Sequence, residues 1–294
     1  MTNLPDGQNP SGFFKKVVIA RIAKQSVAIS HLNQKGTKTM KFSLCIEPIF
    51  EDLPFYERFQ VAKDLGCDAV EFWDPWASNE EITPAGLGKA SRDAGIPIAA
   101  CCLNKAWTYR MTFPWETVKK NVELSMGYAK EMGVKTMIGL SGEVMCKTDS
   151  EKILLLENLK RAGEIAEKNG VTIVLEALNS LYDHKGYYLD SSYVGFEIMK
   201  AVDCPNVKLL YDCYHMQLME GNLVNSIRDN IDFIGHFHSA GVPGRHELHL
   251  GETNYPFVIK AADDAGYEKY FGFEYWPTYD NKKSLTDILN YVRG

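Results

Sequence analysis

The sequence has little that would suit a membrane, a nucleic acid or an oxidising compartment. No run of its 294 residues approaches the roughly 18 consecutive apolar residues of a transmembrane helix. It has no surplus of basic residues, and the net charge of −6 disfavours a surface built for nucleic acid or anionic lipid. The seven cysteines include no CxxC pair and several lie in apolar runs, so we expect reduced, buried thiols in a cytoplasmic protein.

The basic residues that are present are concentrated at the N-terminus. The first 39 residues hold six Lys or Arg and one acid, so the net charge divides into +5 there and −11 over residues 40–294. The apolar piece VVIA is interrupted at once by Arg21, which is untypical of a signal-peptide core. We expect residues 1–39 to be a tail outside the domain, with a targeting segment or a membrane-surface helix as the alternatives.

From Met40 onward, short β-branched or aromatic runs alternate with helical patterns, and the runs start 26 to 38 residues apart. Eight such units with continuous apolar strands predict a single α/β domain, a (β/α)8 TIM barrel over residues 40–294. An open doubly wound sheet is the alternative, but the turn after its first strand is usually glycine-rich, and CIEPIFEDLPF has no glycine. The predicted strands are 41–47, 68–73, 97–103, 135–140, 171–177, 207–212, 233–238 and 270–275.

Helical spacing of apolar residues predicts helices over 55–66, 115–133, 150–170 and 255–266, and a further one at the C-terminus. The first four of these segments each end in glycine, a residue typical of helix C-termini. The helix over 150–170 is expected to begin at Ser150 without a full capping box.

Acidic and imidazole side chains stand at the ends of the last four predicted strands. These are Glu176, Asp212, His238 and Glu274. The C-terminal ends of barrel strands meet at one rim, where three buried carboxylates would repel each other without a cation. Each acid alone is more simply a helix cap, but glutamate is a poor capping residue. The pattern predicts a site for a divalent metal ion, Mn, Mg or Co, with Zn as a further candidate.

Two further polar residues follow these strands. His215 lies three residues after Asp212 and is either a donor to a substrate oxygen or an ordinary histidine at a helix start. Arg245 lies in GVPGRHE, a loop constrained by proline and glycine, and its planar guanidinium suits a carboxylate or a polyol. A surface salt bridge with Glu247 or Glu252 is the alternative for Arg245.

Four of the seven histidines lie in the stretch HFHSAGVPGRHELHL. His236 shares a strand face with His238 and is expected one layer deeper in the barrel, while His246 and His249 have no assigned role. The early strands and the residues after them supply further side chains, and we expect about half of these to line a small polar pocket and the rest to pack in the core. These are Glu71, Phe72, Trp73, Trp76, Trp107 and Tyr109.

Four segments together resemble hydroxypyruvate isomerases, which belong to the xylose-isomerase-like barrel superfamily along with ketose 3-epimerases. They are EALN (176–179), DCYHMQLMEGNL (212–223), AGVPGRHELHLGETNYPF (240–257) and FEYWP (273–277), and the likeness runs from about Met40 to the end. It implies aldose–ketose isomerisation of a small hydroxy-oxo acid by metal-assisted proton transfer through a cis-enediolate. Hydroxypyruvate to 2-hydroxy-3-oxopropanoate is the favoured case.

By that resemblance Glu176 and Glu274 are the acid/base pair, and Asp212 and His238 complete the metal ligands. His215 and Arg245 would hold substrate oxygens. The isomerase pattern often has glutamine at the position of His238, whereas the epimerases have histidine.

Other functions stay open on the sequence alone. Within the superfamily they are 2-oxo-tetronate isomerase and ketose 3-epimerase; of another class, a non-catalytic sugar- or metal-binding barrel. An endonuclease acting on abasic DNA would need a basic groove and more metal ligands. We therefore expect a small-molecule substrate, no nucleic acid and no membrane partner, with a homo-oligomer left open.

Overall fold

A computed structural model describes residues 40–294, and the prediction for residues 1–39 lies outside the described residues. The eight strands form a closed parallel barrel in sequence order, because the last strand pairs with the first. Each predicted strand is present and its ends agree within two residues. The strands are β1 Lys41–Cys45, β2 Ala69–Phe72, β3 Ile98–Cys102, β4 Thr136–Leu140, β5 Thr172–Glu176, β6 Val207–Asp212, β7 Ile234–His238 and β8 Tyr270–Phe273.

The helices pack around the barrel and cover its outer face. The five predicted helical segments are all helical, and four helices between strands, the second, fifth, sixth and seventh along the chain, are added to them. The α-helices of the described residues are α1 Arg58–Asp64, α2 Pro84–Ala94, α3 Trp115–Met132, α4 Asp149–Lys168, α5 Ser192–Val202, α6 Cys213–Met219, α7 Leu223–Asn230, α8 Tyr255–Asp264 and α9 Asn281–Arg293.

The start of α4 corrects the sequence prediction. The N-cap is Thr148 rather than Ser150, and a full capping box is present, in which the Thr148 hydroxyl accepts the backbone N–H of Glu151. The Glu151 carboxylate in turn accepts the backbone N–H of Thr148. The box was missed because the helix begins earlier than its apolar stripe, and only the apolar stripe carries a periodic signal.

Strand β7 shows how the barrel separates its two sides. Phe237 faces the helical layer, where its ring stacks on Phe271 at 4.9 Å and meets the edge of Tyr267 at 4.8 Å. Its neighbours His236 and His238 point the other way, into the barrel, and both are buried. Alternation along one strand therefore gives an apolar outer seam and a polar interior.

All seven cysteines are free, and five of them are buried as expected, whereas Cys146 is exposed and Cys204 is partly exposed. Within residues 40–294, no helix is both long and apolar enough to cross a bilayer.

Candidate active site

The four rim residues predicted from the strand ends come together. Glu176, Asp212 and His238 are the last residues of β5, β6 and β7, and Glu274 directly follows β8. Each offers one ligand atom, and these four atoms all lie within 4.8 Å of one another. All four residues are buried, the most accessible being Glu176 at 7%. The barrel thus gathers three carboxylates and one imidazole at one point.

His238 lies at the centre of this group. Its Nδ1 atom is 3.1 Å from Oε1 of Glu176 and 3.1 Å from Oε2 of Glu274. Burial alone would lower the pKa of His238, but the Glu274 and Glu71 carboxylates outweigh it and raise that pKa well above its usual value. These carboxylates therefore favour the charged form of the His238 imidazole.

Glu274 is held by two donors besides His238. Nη2 of Arg245 is 2.7 Å from its Oε2 atom, and the Trp73 indole N–H donates to its Oε1 atom at 2.5 Å. Burial disfavours the charged carboxylate, but the Arg245 guanidinium and His238 overcome this and hold the pKa of Glu274 well below its usual range. Glu274 is therefore ionised and able to accept a proton.

Asp212 combines both sequence interpretations of an acid at a strand end. Its Oδ1 atom caps α6 by accepting the backbone N–H groups of Tyr214, at 2.7 Å, and His215, at 3.3 Å. Burial, with Glu274 and Glu176 nearby, raises its pKa to about 7 although Arg245 and His238 partly offset this. One oxygen thus fixes the helix start, while the same carboxylate supplies an atom to the four-residue group.

His215 lies in the first turn of α6 and is fully buried. The Asn179 amide nitrogen is 2.6 Å from its Nδ1 atom, so Nδ1 accepts and the ring proton sits on Nε2. Burial, followed by Arg245 and His184, lowers the pKa of His215 well below its usual value, so the ring is neutral. In the described part of the chain its Nε2 has no hydrogen-bond partner. The nearest carboxylate oxygen, Oδ2 of Asp212, is 3.4 Å from this Nε2 atom.

Arg245 forms neither of the surface pairs considered for it, since its guanidinium pairs with Glu274 inside the site. It lies between the rings of Tyr214, at 5.4 Å, and Trp276, at 5.0 Å. Its backbone is in the left-handed region at φ 60°, which costs a non-glycine residue about 1–2 kcal/mol. A cleft of about 540 Å³ opens beside it, lined by residues that include Tyr182, Tyr214, Pro243 and Trp276.

The residues present suit a divalent cation. Three carboxylates and one imidazole are the oxygen and nitrogen donors that Mn²⁺, Mg²⁺, Co²⁺ and Zn²⁺ accept. An ion about 2.1 Å from each donor can join donors up to about 4.2 Å apart, which is close to the spacing here. In charge, three carboxylates against the single guanidinium of Arg245 leave an excess that a divalent ion would balance.

Three contributors to the site were missed or misplaced from the sequence. Glu71 does not wall a pocket: it is buried below the rim, where Nε2 of His236 is 2.6 Å from its Oε2 atom. Asn179 was noted only as part of the EALN segment, yet its amide decides which ring nitrogen of His215 carries the proton. Trp73 bonds a carboxylate 201 positions away. No local pattern reports such contacts, because they join strands far apart in sequence.

The comparison with known families matches residues 59–293 to the xylose isomerase-like TIM barrel. A 2-oxo-tetronate isomerase of Cupriavidus necator is 31% identical over 266 residues, which cover 86% of this chain and 98% of that protein. A hydroxypyruvate isomerase of Escherichia coli is 31% identical over 252 residues, covering 81% of this chain and 94% of that protein.

Solved structures share the fold at lower identity. A family 2 AP endonuclease of Brucella melitensis superposes with a TM-score of 0.80 at 24% identity, covering 86% of this chain and 99% of that one. A D-psicose 3-epimerase of Clostridium cellulolyticum superposes with a TM-score of 0.71 at 17% identity, covering 86% and 98%. These two likenesses concern the barrel alone.

Proposed function

Since this chain belongs to the xylose isomerase-like TIM barrel family and is an isomerase, we propose that it interconverts the aldose and ketose forms of a small hydroxy-oxo acid. The favoured reaction is hydroxypyruvate to 2-hydroxy-3-oxopropanoate, and 2-oxo-tetronate is the alternative acid. The observation that carries the proposal is the convergence of Glu176, Asp212, His238 and Glu274 within 4.8 Å on the rim.

In the proposed site, Glu176, Asp212, His238 and Glu274 hold a divalent cation, Mn, Mg or Co, with Zn as a further candidate. When bound, the cation supplies Lewis-acid polarisation of the substrate's carbonyl and hydroxyl oxygens. The protein itself binds the substrate, excludes water and moves the proton.

Glu176 and Glu274 are the proposed acid/base pair. One glutamate removes the proton from the carbon that bears the hydroxyl group, giving a cis-enediolate. The hydroxyl proton passes to the former carbonyl oxygen, and the same or the other glutamate returns a proton at the neighbouring carbon, which leaves the new carbonyl where the hydroxyl group stood. The low pKa of Glu274, caused by Arg245 and His238 against the effect of burial, keeps its carboxylate ready to accept the proton.

The enediolate carries more negative charge than the substrate, and two donors are placed to stabilise it. Nε2 of His215 is buried and carries the ring proton, since Asn179 donates to Nδ1; it makes no hydrogen bond within residues 40–294, with Oδ2 of Asp212 3.4 Å away. The Arg245 guanidinium is fixed between Tyr214 and Trp276. Donors that are already oriented need no rearrangement during the reaction, which is the main source of such electrostatic catalysis.

A ketose 3-epimerase is the second candidate, favoured by two features of the site. His238 occupies the position where histidine rather than glutamine marks the epimerase pattern. Arg245 is already engaged with Glu274, so it is not fully available to a substrate carboxylate. Glutamates that can act on both faces of an enediolate would equally serve epimerisation of an uncharged ketose.

The deciding experiment is an isomerase assay of the purified full-length chain with and without chelator. The substrates are hydroxypyruvate, 2-oxo-tetronate and a panel of five- and six-carbon ketoses, and solvent deuterium incorporation is followed. We expect turnover of a small acid that is lost with chelator and restored by Mn²⁺, with deuterium entering the product. Preferential turnover of a ketose would replace the first candidate by the second, and no turnover of any substrate would favour a non-catalytic barrel.

The acid/base roles are tested by Glu176→Gln and Glu274→Gln, which keep the shape of each side chain. Each is expected to abolish exchange of the substrate proton with solvent while substrate still binds. Exposed Glu252, replaced in the same way, is the matched control and should keep wild-type exchange. Near-native turnover in either site variant would reject the assignment.

A further inference from the structure

Below the rim, Glu71 bridges the two buried histidines of β7. Its Oε2 atom accepts the Ser43 hydroxyl at 2.9 Å and is 2.6 Å from Nε2 of His236. Its Oε1 atom is 3.3 Å from Nε2 of His238. Neither of these last two atoms has a hydrogen-bond partner among the described residues, so each faces the other at 3.3 Å with its hydrogen-bonding capacity unused, and Glu71 is 1% exposed.

The two nitrogens of His238 therefore face different carboxylates. Nδ1 points at Glu176 and Glu274 on the rim, while Nε2 points down at Glu71. A histidine that binds a cation must present a bare nitrogen, and the hydrogen bond made by its other nitrogen decides which one is bare.

We propose that Glu71 is a positioning residue: it accepts the Nε2–H of His238 and so presents a bare Nδ1 to the cation on the rim. This inference rests on the cation site proposed above. It adds to that site an interior carboxylate that touches neither the cation nor the substrate.

The packing around Glu71 holds its carboxylate in place. Ser43 and His236 fix one oxygen from two strands, and the other strand nearby, β8, has glycine where a side chain would collide. A Cβ atom added at Gly272 would lie 2.3 Å from Oε1 of Glu71. The absence of a side chain at this position leaves the space in which Glu71 reaches His238.

A second cation held by Glu71, His236 and His238 is the competing interpretation of the same group. The distances favour the hydrogen-bonded arrangement, because 2.6 Å between Nε2 of His236 and Oε2 of Glu71 is a hydrogen-bond length. The Ser43 hydroxyl bonds that same oxygen. A single cation per chain is therefore expected.

The test is a calorimetric titration of the chelator-stripped full-length protein with Mn²⁺, comparing wild type with Glu71→Gln. Glutamine keeps the size of the side chain but turns one of two acceptor atoms into a donor. We expect one Mn²⁺ per chain in the wild type and a 10- to 100-fold weaker Kd in the variant. Asp68→Asn is the matched control. It removes a carboxylate that lies just before the same strand and accepts the Phe42 backbone N–H. This variant should leave the Kd for Mn²⁺ unchanged.

A second readout separates positioning from general damage to the barrel. In the Zn²⁺-loaded protein, a slowly exchanging Nε2–H proton of His238 should appear in the NMR spectrum of wild type and Asp68→Asn and be lost in Glu71→Gln. Thermal unfolding of each apo protein shows whether the variants are folded.

The outcomes separate this inference from the proposed function. If wild type takes up one Mn²⁺ and folded Glu71→Gln binds it within threefold of the wild-type Kd, the positioning role is refuted and the cation site stands. Two Mn²⁺ per chain would refute it in favour of a second cation. Wild type without Mn²⁺ binding would overturn both the cation site and this inference.

Discussion

Replacing Arg245 by methionine should remove the positive charge beside Glu274 while keeping most of the side-chain volume. The guanidinium is 2.7 Å from Oε2 of Glu274 and its side chain is 13% exposed, so water screens the pair only weakly. Two unit charges about 4 Å apart interact by about 4 kcal/mol at an effective dielectric constant of about 20. Removing one partner of such a buried pair typically costs about 3–5 kcal/mol.

If that interaction supports the transition state, kcat/KM should fall about 10²–10³-fold, since each 1.4 kcal/mol corresponds to about a factor of ten. The pH profile should change as well. Arg245 is the main attractive charge that lowers the pKa of Glu274 against the effect of burial, so its loss raises that pKa. Because Glu274 must be ionised to accept a proton, the acidic limb of kcat/KM should move to higher pH.

The assay is kcat/KM for the preferred substrate from pH 5 to 9 at saturating Mn²⁺. Arg245→Lys tests the planar guanidinium itself. Lysine keeps the positive charge but lacks the planar group that lies over the rings of Tyr214 and Trp276. Arg293→Met, at an arginine that bonds the Gly66 carbonyl outside the site, should behave as wild type. An Arg245→Met enzyme within threefold of wild type, with an unmoved acidic limb, would refute the reasoning.

Three further outcomes are expected. Asn179→Ala should lower kcat/KM about tenfold, because His215 loses the donor that keeps its proton on Nε2. A lower kcat/KM in steady-state kinetics, with unchanged Mn²⁺ affinity, would support this role. An unchanged kcat/KM would reject it. Mn²⁺ affinity should rise with pH up to about 7, because burial raises the pKa of Asp212 to about 7 and its proton must leave before the cation binds. Calorimetric titration in two buffers with different heats of ionisation would show the released proton as a difference in the binding heat. Phe237→Ala should reduce the free energy of unfolding by about 3–5 kcal/mol in denaturant titrations, since the Phe271 stack is lost, and a loss below 1 kcal/mol would contradict the packing argument.

Much of the fold was predictable because the strands of a parallel barrel are buried on both faces and therefore appear in the sequence as apolar runs. The end of β6 at Asp212 and the end of β7 at His238 were read directly from the sequence, and both are correct. Helix starts were less accurate: the capping box of Thr148 and Glu151 precedes the apolar stripe that signals α4. Apolar periodicity marks where a helix is buried, and a helix begins before its buried face does.

The sequence by itself determined the strand order, the four side chains at the ends of the last strands and the chemistry that they favour. Only the tertiary structure decided their partners. Arg245 pairs with Glu274 rather than with its near neighbours Glu247 or Glu252, and Glu71 meets His236 across 165 positions. The physical reason is that local residue patterns fix which face of a strand is buried. Closure of the barrel, which joins distant strands, fixes which buried charges meet.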